Sequence, residues 1–178
     1  MATVSLTENS TMREVLEAYP SAQRALMRKY HIGGCSSCGF APEEQLGVVL
    51  ARHNVSDVGD VLSHIADAHE QEQNIRISPK ALAEALKSAA PPRLIDVREP
   101  FEQDICKLEG ARSADEKLVQ EIFSSWPKDT LIVTYCHHGM RSMEAASYLI
   151  GHGYTNVRSL DGGIDAWAEQ MDSKMERY

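Results

Sequence analysis

The segment that most constrains the fold runs from Leu131 to Gly151, where a short β-branched apolar run ends at a cysteine and gives way to helical periodicity. Leu131, Ile132, Val133, Thr134 and Tyr135 read as a buried strand of a parallel sheet, because no polar alternation marks a wetted face. Beyond Arg141 the spacing of apolar residues is helical, with Ser142 as the expected N-cap and Gly151 as the expected stop. Cys136, His137, His138, Gly139, Met140 and Arg141 thus form a turn from the carboxyl end of a strand into the amino end of a helix. Open α/β sheets bind ligands at such turns, where unpaired N–H groups and the helix dipole favour an anion.

Strand-like and helical segments alternate from Ile75 onward. Ile75 and Ile77 suggest an opening strand, Ser78-Pro79 starts a helix with Leu82 and Leu86 inward, and Pro91-Pro92 turns into a strand over 93–97. A helix with Leu118, Ile122 and Phe123 precedes the Cys136 strand, and residues 156–160 form the last strand. This pattern predicts a compact α/β domain with a doubly wound parallel sheet over residues 73–178. Before it the patterns are helical throughout, which predicts a small all-α domain over residues 1–72. Thr11 and Glu14 make a capping box, Pro20 stops the first helix, and Ser21 caps a second that breaks at Gly33-Gly34. A third is expected from Pro42 to His53 and a fourth after Ser56, while Asp67 to Asn74 reads as a charged helix end running into a linker. Four short helices bury only a modest core, so this domain is expected to draw stability from elsewhere.

A cysteine at the end of a buried strand is, taken alone, usually a small hydrophobe. The helix terminus and the permanent charge of Arg141 change that balance by favouring the nucleophilic thiolate of Cys136, and His137 and His138 add donors. Adjacent side chains are expected to diverge from the turn, with at least one of the two histidines in solvent. The C-x4-R spacing is one residue tighter than the C-x5-R loop with which cysteine phosphatases wrap a phosphoryl group. A smaller ring of amides suits one added sulfur better than three phosphoryl oxygens. Upstream, Leu94-Ile95-Asp96-Val97-Arg98-Glu99-Pro100 continues into Phe101 and Glu102; downstream stands Leu160-Asp161-Gly162-Gly163-Ile164-Asp165-Ala166-Trp167. With these D-V-R-E and G-G-x-x-A-W segments in order around the loop, the region resembles the rhodanese family of sulfurtransferases.

The resemblance implies a rhodanese-like sheet and a definite chemistry. Cys136 would attack the outer sulfur of a small anionic donor such as thiosulfate or a persulfide, and the resulting persulfide would pass sulfur to a thiol or protein acceptor. His137, His138, Gly139, Met140 and Arg141 would bind the donor, Asp96 and Arg98 would support the loop structurally, and no cofactor would be required. Lys107-Leu108-Glu109-Gly110-Ala111 stands where the family usually reads H-I-P-G-A, and the segment from Arg112 to Glu116 is short and charged. Both bear on how substrate reaches the site. A protein-binding module that does not turn over, and an arsenate reductase or phosphatase, are the competing readings. The intact Cys136 and Arg141 argue against the first, and the tight loop against the second.

A second cysteine motif, Cys35-Ser36-Ser37-Cys38, lies in a glycine-rich loop. Its C-x-x-C spacing lets two sulfurs face one point, as a redox or sulfur-relaying pair or as half of a metal or iron–sulfur site that His31, His53 or a second copy would complete; plain loop thiols are the third reading. Iron and zinc analysis with thiol counting separates these readings. The surrounding stretch from Thr11 to Ile65, with Glu14-Val15-Leu16 and Tyr19-Pro20, resembles the small helical domain found beside hybrid-cluster and iron–sulfur repair proteins. Cys106, beside Ile105 and Leu108, reads as a packing residue.

Composition narrows the partners. The 178-residue chain carries a net charge of −8, so nucleic acid and anionic membranes are excluded as ligands by its own field. Met1 to Ser10 lacks a basic start and an apolar core, and no run is long enough to span a bilayer, which leads to the expectation of a cytoplasmic protein. In such a setting four cysteines are expected as thiols or ligands rather than as a disulfide framework. The sequence carries no signal of oligomeric state.

Overall fold

The computed structural model describes residues 6–33 and 39–178. The chain divides into two compact units, Met1–Asn74 and Ile75–Tyr178.

The first unit is helical: α1 (Met12–Ala18), α2 (Ala22–Tyr30), α3 (Leu46–Arg52) and α4 (Val58–Ile75), the last residue of which falls in the second unit. The capping box forms as expected, with Thr11 Oγ1 accepting from Glu14 N–H and Glu14 Oε2 accepting from Thr11 N–H at 2.7 Å. Three expectations are corrected. Ser21 makes no capping bond, because its hydroxyl faces His69 Nδ1 at 3.0 Å. The second helix ends before the glycines, at Tyr30, with His31 in the left-handed region. The third helix begins at Leu46 rather than Pro42, since the carbonyls of Pro42 and Glu44 accept the N–H groups of Arg13 and Met12 at 2.8 Å. A segment bound to the open end of α1 in this way cannot also close helical bonds of its own. Likewise Asp67 to Asn74 is not a linker: α4 continues through it, and Glu72 is buried against the Arg24 guanidinium. Met12, Leu26, Ile32, Leu46, Leu50 and Ile65 are the largest members of the core.

The second unit alternates β1 (Arg76–Ile77), α5 (Pro79–Leu86), β2 (Arg93–Asp96), α6 (Pro100–Ile105), β3 (Arg112–Ser113), α7 (Glu116–Ser125), β4 (Ile132–Tyr135), α8 (Met140–Gly151), β5 (Val157–Leu160) and α9 (Gly163–Gln170). All strand pairs are parallel, in the order β1-β5-β4-β2-β3, so the Cys136 strand is central. The α/β class and the parallel sheet are therefore as expected. Every residue of β4 is buried, and successive side chains serve opposite faces. Ile132 joins Leu118, Ile122, Ala146 and Leu149 on the α7–α8 side, while Val133 and Tyr135 join Leu82, Leu160 and Ile164 on the α5–α9 side. Each fully buried aliphatic side chain contributes roughly 1.5–3 kcal/mol, and two helical layers hold β4 in register. Ser78 caps α5 through Ala81 N–H, with Pro79 in its first turn.

Candidate active site

Pairing of β2 with β4 sets Asp96 beside Tyr135, so the segments after both strands emerge at one edge of the sheet. The turn after β4 is tight. Gly139, not Ser142, is the N-cap of α8, with φ of +91°, and its N–H donates to Cys136 Sγ at 3.1 Å. A side chain on Gly139 would also come within 3.3 Å of the Leu160 carbonyl.

The helix therefore starts three residues earlier than the sequence suggests. Ser142 lies inside its first turn, fully buried, with Oγ 3.5 Å from Cys136 Sγ. Ser159, on β5, donates to the same hydroxyl at 2.9 Å. As a thiol Cys136 donates to Ser142 Oγ; once it is ionised, the Ser142 hydroxyl, whose oxygen still accepts from Ser159, can turn its own proton to the sulfur. The Ser142 carbonyl in turn accepts from Thr134 Oγ1 at 2.8 Å. Neither serine is legible in the sequence as a site residue; the one signal is a hydroxyl three positions beyond Gly139.

The G-G pair at 162–163 has a geometric cause. Gly163 adopts φ of +65°, and a Cβ there would sit 2.2 Å from the His137 carbonyl oxygen and 2.5 Å from that of Cys136. Those carbonyls accept the N–H groups of Asp165 at 3.2 Å and Ile164 at 2.8 Å. The open amino end of α9 thereby holds the outward-facing carbonyls of the loop.

Arg141 does not stand free. Its Nη1 and Nη2 donate to Glu102 Oε2 and Oε1 at 2.6 and 2.7 Å, a bidentate pair. The Cys136 sulfur still lies within its field. Glu102, whose place after the D-V-R-E segment does not show its role, also accepts from Glu99 N–H at 2.9 Å and Tyr178 OH at 3.0 Å. The Arg141 fork holds its carboxyl down at about 2, against the opposing effect of burial.

Asp96 and Arg98 lie beneath this layer with side chains 2% and 0% exposed. Arg98 donates to both Asp96 oxygens at 2.9 and 2.6 Å and to the carbonyls of Cys106 and Glu102 at 2.7 and 3.1 Å. Burial opposes its charge, but Asp96 and Tyr178 outweigh that and raise its pKa. The pair thus ties the end of β2 to α6. Cys106 sits partly buried at the α5–α9 core.

The two histidines do not diverge. Their rings stack at 3.8 Å between centroids, and the ring of Tyr178 stacks on His137 at 4.1 Å. Flat rings lose little by sharing a face, and burial then pushes the His137 imidazole below its ordinary pKa. His138 is the exposed member, with Nδ1 3.9 Å from Asp165. Met140 is exposed. A cavity of about 380 Å³, lined mostly by apolar side chains such as Val97, Phe123, Tyr148 and Leu149, has Arg141 and Glu144 at its polar margin. Cys35 and Cys38 lie outside the described residues, and among the described residues no group of histidine, cysteine and carboxylate side chains is arranged to hold a metal. No helix among them is long and apolar enough to cross a membrane.

Comparison with known proteins bears on this geometry. The family profile described as Rhodanese-like domain matches residues 78–170. Over 114 residues the chain is 37% identical to the probable adenylyltransferase/sulfurtransferase MoeZ of Mycobacterium tuberculosis, covering 63% of this chain and 29% of that protein's length. Over 99 residues it is 31% identical to the thiosulfate sulfurtransferase GlpE of Ectopseudomonas mendocina, covering 56% of this chain and 89% of GlpE. Among solved structures, a rhodanese-related protein from Thermoplasma volcanium is 28% identical with a TM-score of 0.44, covering 54% of this chain and 92% of the other. Matched by the family profile across its second unit, the chain belongs to the rhodanese-like domain family.

Proposed function

We propose that this protein is a sulfurtransferase that carries sulfane sulfur as a persulfide on Cys136. The observation that carries the reading is the environment of the sulfur, which accepts the Gly139 N–H at 3.1 Å with a serine hydroxyl at 3.5 Å. The name of GlpE, over most of whose length this chain matches, supports the same reaction class. In the first half-reaction the Cys136 thiolate attacks the terminal sulfur of the donor. A new S–S bond forms, the donor's S–S bond breaks, and its electron pair departs with sulfite or a thiolate. Gly139 N–H and Ser142 OH stabilise charge on the sulfur before and after transfer. A thiophilic acceptor, such as a thiol or a protein cysteine, then attacks the outer sulfur and regenerates the Cys136 thiolate. None of these steps requires a bound cofactor. The helical unit, with Cys35 and Cys38, is read as an appendage that relays sulfur or senses redox state.

Mass spectrometry after incubation with thiosulfate or an alkyl persulfide tests the reading. A gain of one sulfur atom mapped to Cys136, absent from C136S, is the expected result. Undiminished transfer by C136S would sink it.

A further inference from the structure

We propose that Glu102 is a specificity-determining residue: by occupying both arms of the Arg141 fork, it makes the Cys136 site select alkyl persulfides over thiosulfate as donors. The inference rests on the sulfurtransferase reading above and names its substrate class.

Three observations carry it. First, the fork is closed by a carboxylate that is itself fixed. Glu102 is 7% exposed, closes the capping box of α6 through Glu99 N–H, and accepts from Tyr178 OH. A side chain held by an arginine, a backbone donor and a phenol does not swing aside cheaply. Second, other cations near the loop are matched by carboxylates. Arg98 is committed to Asp96, and Arg177 donates to both oxygens of Asp165 at 2.7 and 3.0 Å. Burial holds the His137 imidazole toward its neutral form. Third, what remains to hold negative charge at the sulfur is neutral: a backbone N–H, a hydroxyl and the helix end.

The two donors load such a site differently. Attack of the Cys136 thiolate on thiosulfate gathers the thiolate and a dianion, and the electron pair of the broken S–S bond leaves on a sulfite dianion. Attack on an alkyl persulfide anion yields the same Cys136 persulfide, but the leaving group is a monoanionic thiolate. Thiosulfate therefore brings one more negative charge through the transition state, with the Glu102 carboxylate nearby to oppose it. An Arg141 left free would have offset that charge.

The test uses the full chain and follows sulfur transfer to cyanide from thiosulfate and from an alkyl persulfide whose carbon chain carries no further charge. The E102Q variant keeps the shape of the side chain and an oxygen for the Glu99 N–H while removing the charge. Wild type is expected to show kcat/KM roughly 10-fold or more in favour of the persulfide, and E102Q to raise the thiosulfate-to-persulfide ratio about 10-fold, chiefly through the thiosulfate KM. In a C136S background, calorimetry should show thiosulfate binding tightened about 10-fold by E102Q, a gain that shrinks at high salt. A wild type that prefers thiosulfate, or an E102Q ratio and affinity both within about 2-fold of the parent, would overturn the proposal while leaving sulfur transfer intact. No transfer from either donor would defeat the parent reading and this one with it.

Discussion

At Cys136 the sulfur meets one backbone donor and one hydroxyl, and the hydroxyl is held by a second serine from another strand. The S142A variant removes the hydroxyl at the sulfur and leaves Ser159, also buried, without its acceptor. Single-turnover persulfide formation is expected to slow about 10- to 100-fold, and urea unfolding to show a loss of about 1–2 kcal/mol. The S142A/S159A double variant should recover much of the stability but none of the rate, which separates catalysis from packing. Glu102 has a pH signature of its own. Its folded-state pKa of about 2 lies below the ordinary 4.5, so the ionised form contributes stability that is fully present above about 4.5. That stability falls away as pH drops toward 2. Because Arg141 is partly solvated, the contribution is about 1–2 kcal/mol rather than the full shift. Thermal melts of wild type and E102Q across this window should converge as pH falls.

Between elements, the decisive contact is the approach of α9 to the loop after β4. Gly163→Ala would drive a methyl into the His137 carbonyl at a backbone angle L-residues avoid. A loss of about 2–4 kcal/mol in unfolding free energy is expected, together with impaired transfer because the Cys136 and His137 carbonyls lose their anchors. Gly151→Ala, where a Cβ meets nothing within 4 Å in the last turn of α8, should be neutral or stabilising by up to about 1 kcal/mol. Equal destabilisation by the two changes would refute this account of the glycine pair. Short-range patterns found most elements, including β4, α5 and α7, because apolar period and caps are local. They missed α6, α9 and the two-residue β3, the last of which pairs with Ile95 and Asp96 of a neighbouring strand.

Across the chain, the two units differ in what holds them. The second is layered about a parallel sheet, whereas the first is a small helical core to which α4 contributes Val61 and Ile65. The polar run at 67–74 belongs to that helix, with Glu72 against Arg24 and His69 against Ser21. Hydrogen exchange should therefore find the amides of 67–74 protected as a continuation of α4; exchange as fast as in an unstructured peptide would reinstate the linker.

The sequence alone determined the alternation that makes a parallel sheet and the turn that delivers the Cys136 thiol from the end of a buried strand, because period, propensity and glycine placement act over a few residues; the central place of that strand came only with the pairing order of the sheet. Only the tertiary structure decided what surrounds that thiol. Ser159 reaches it through Ser142 from β5, Gly163 braces it from α9, Glu102 closes the arginine fork from α6, and Tyr178 lies on His137. Those partners stand far apart along the chain, and charge and hydrogen-bond pairing at such separations exist only once the strands have set their ends side by side.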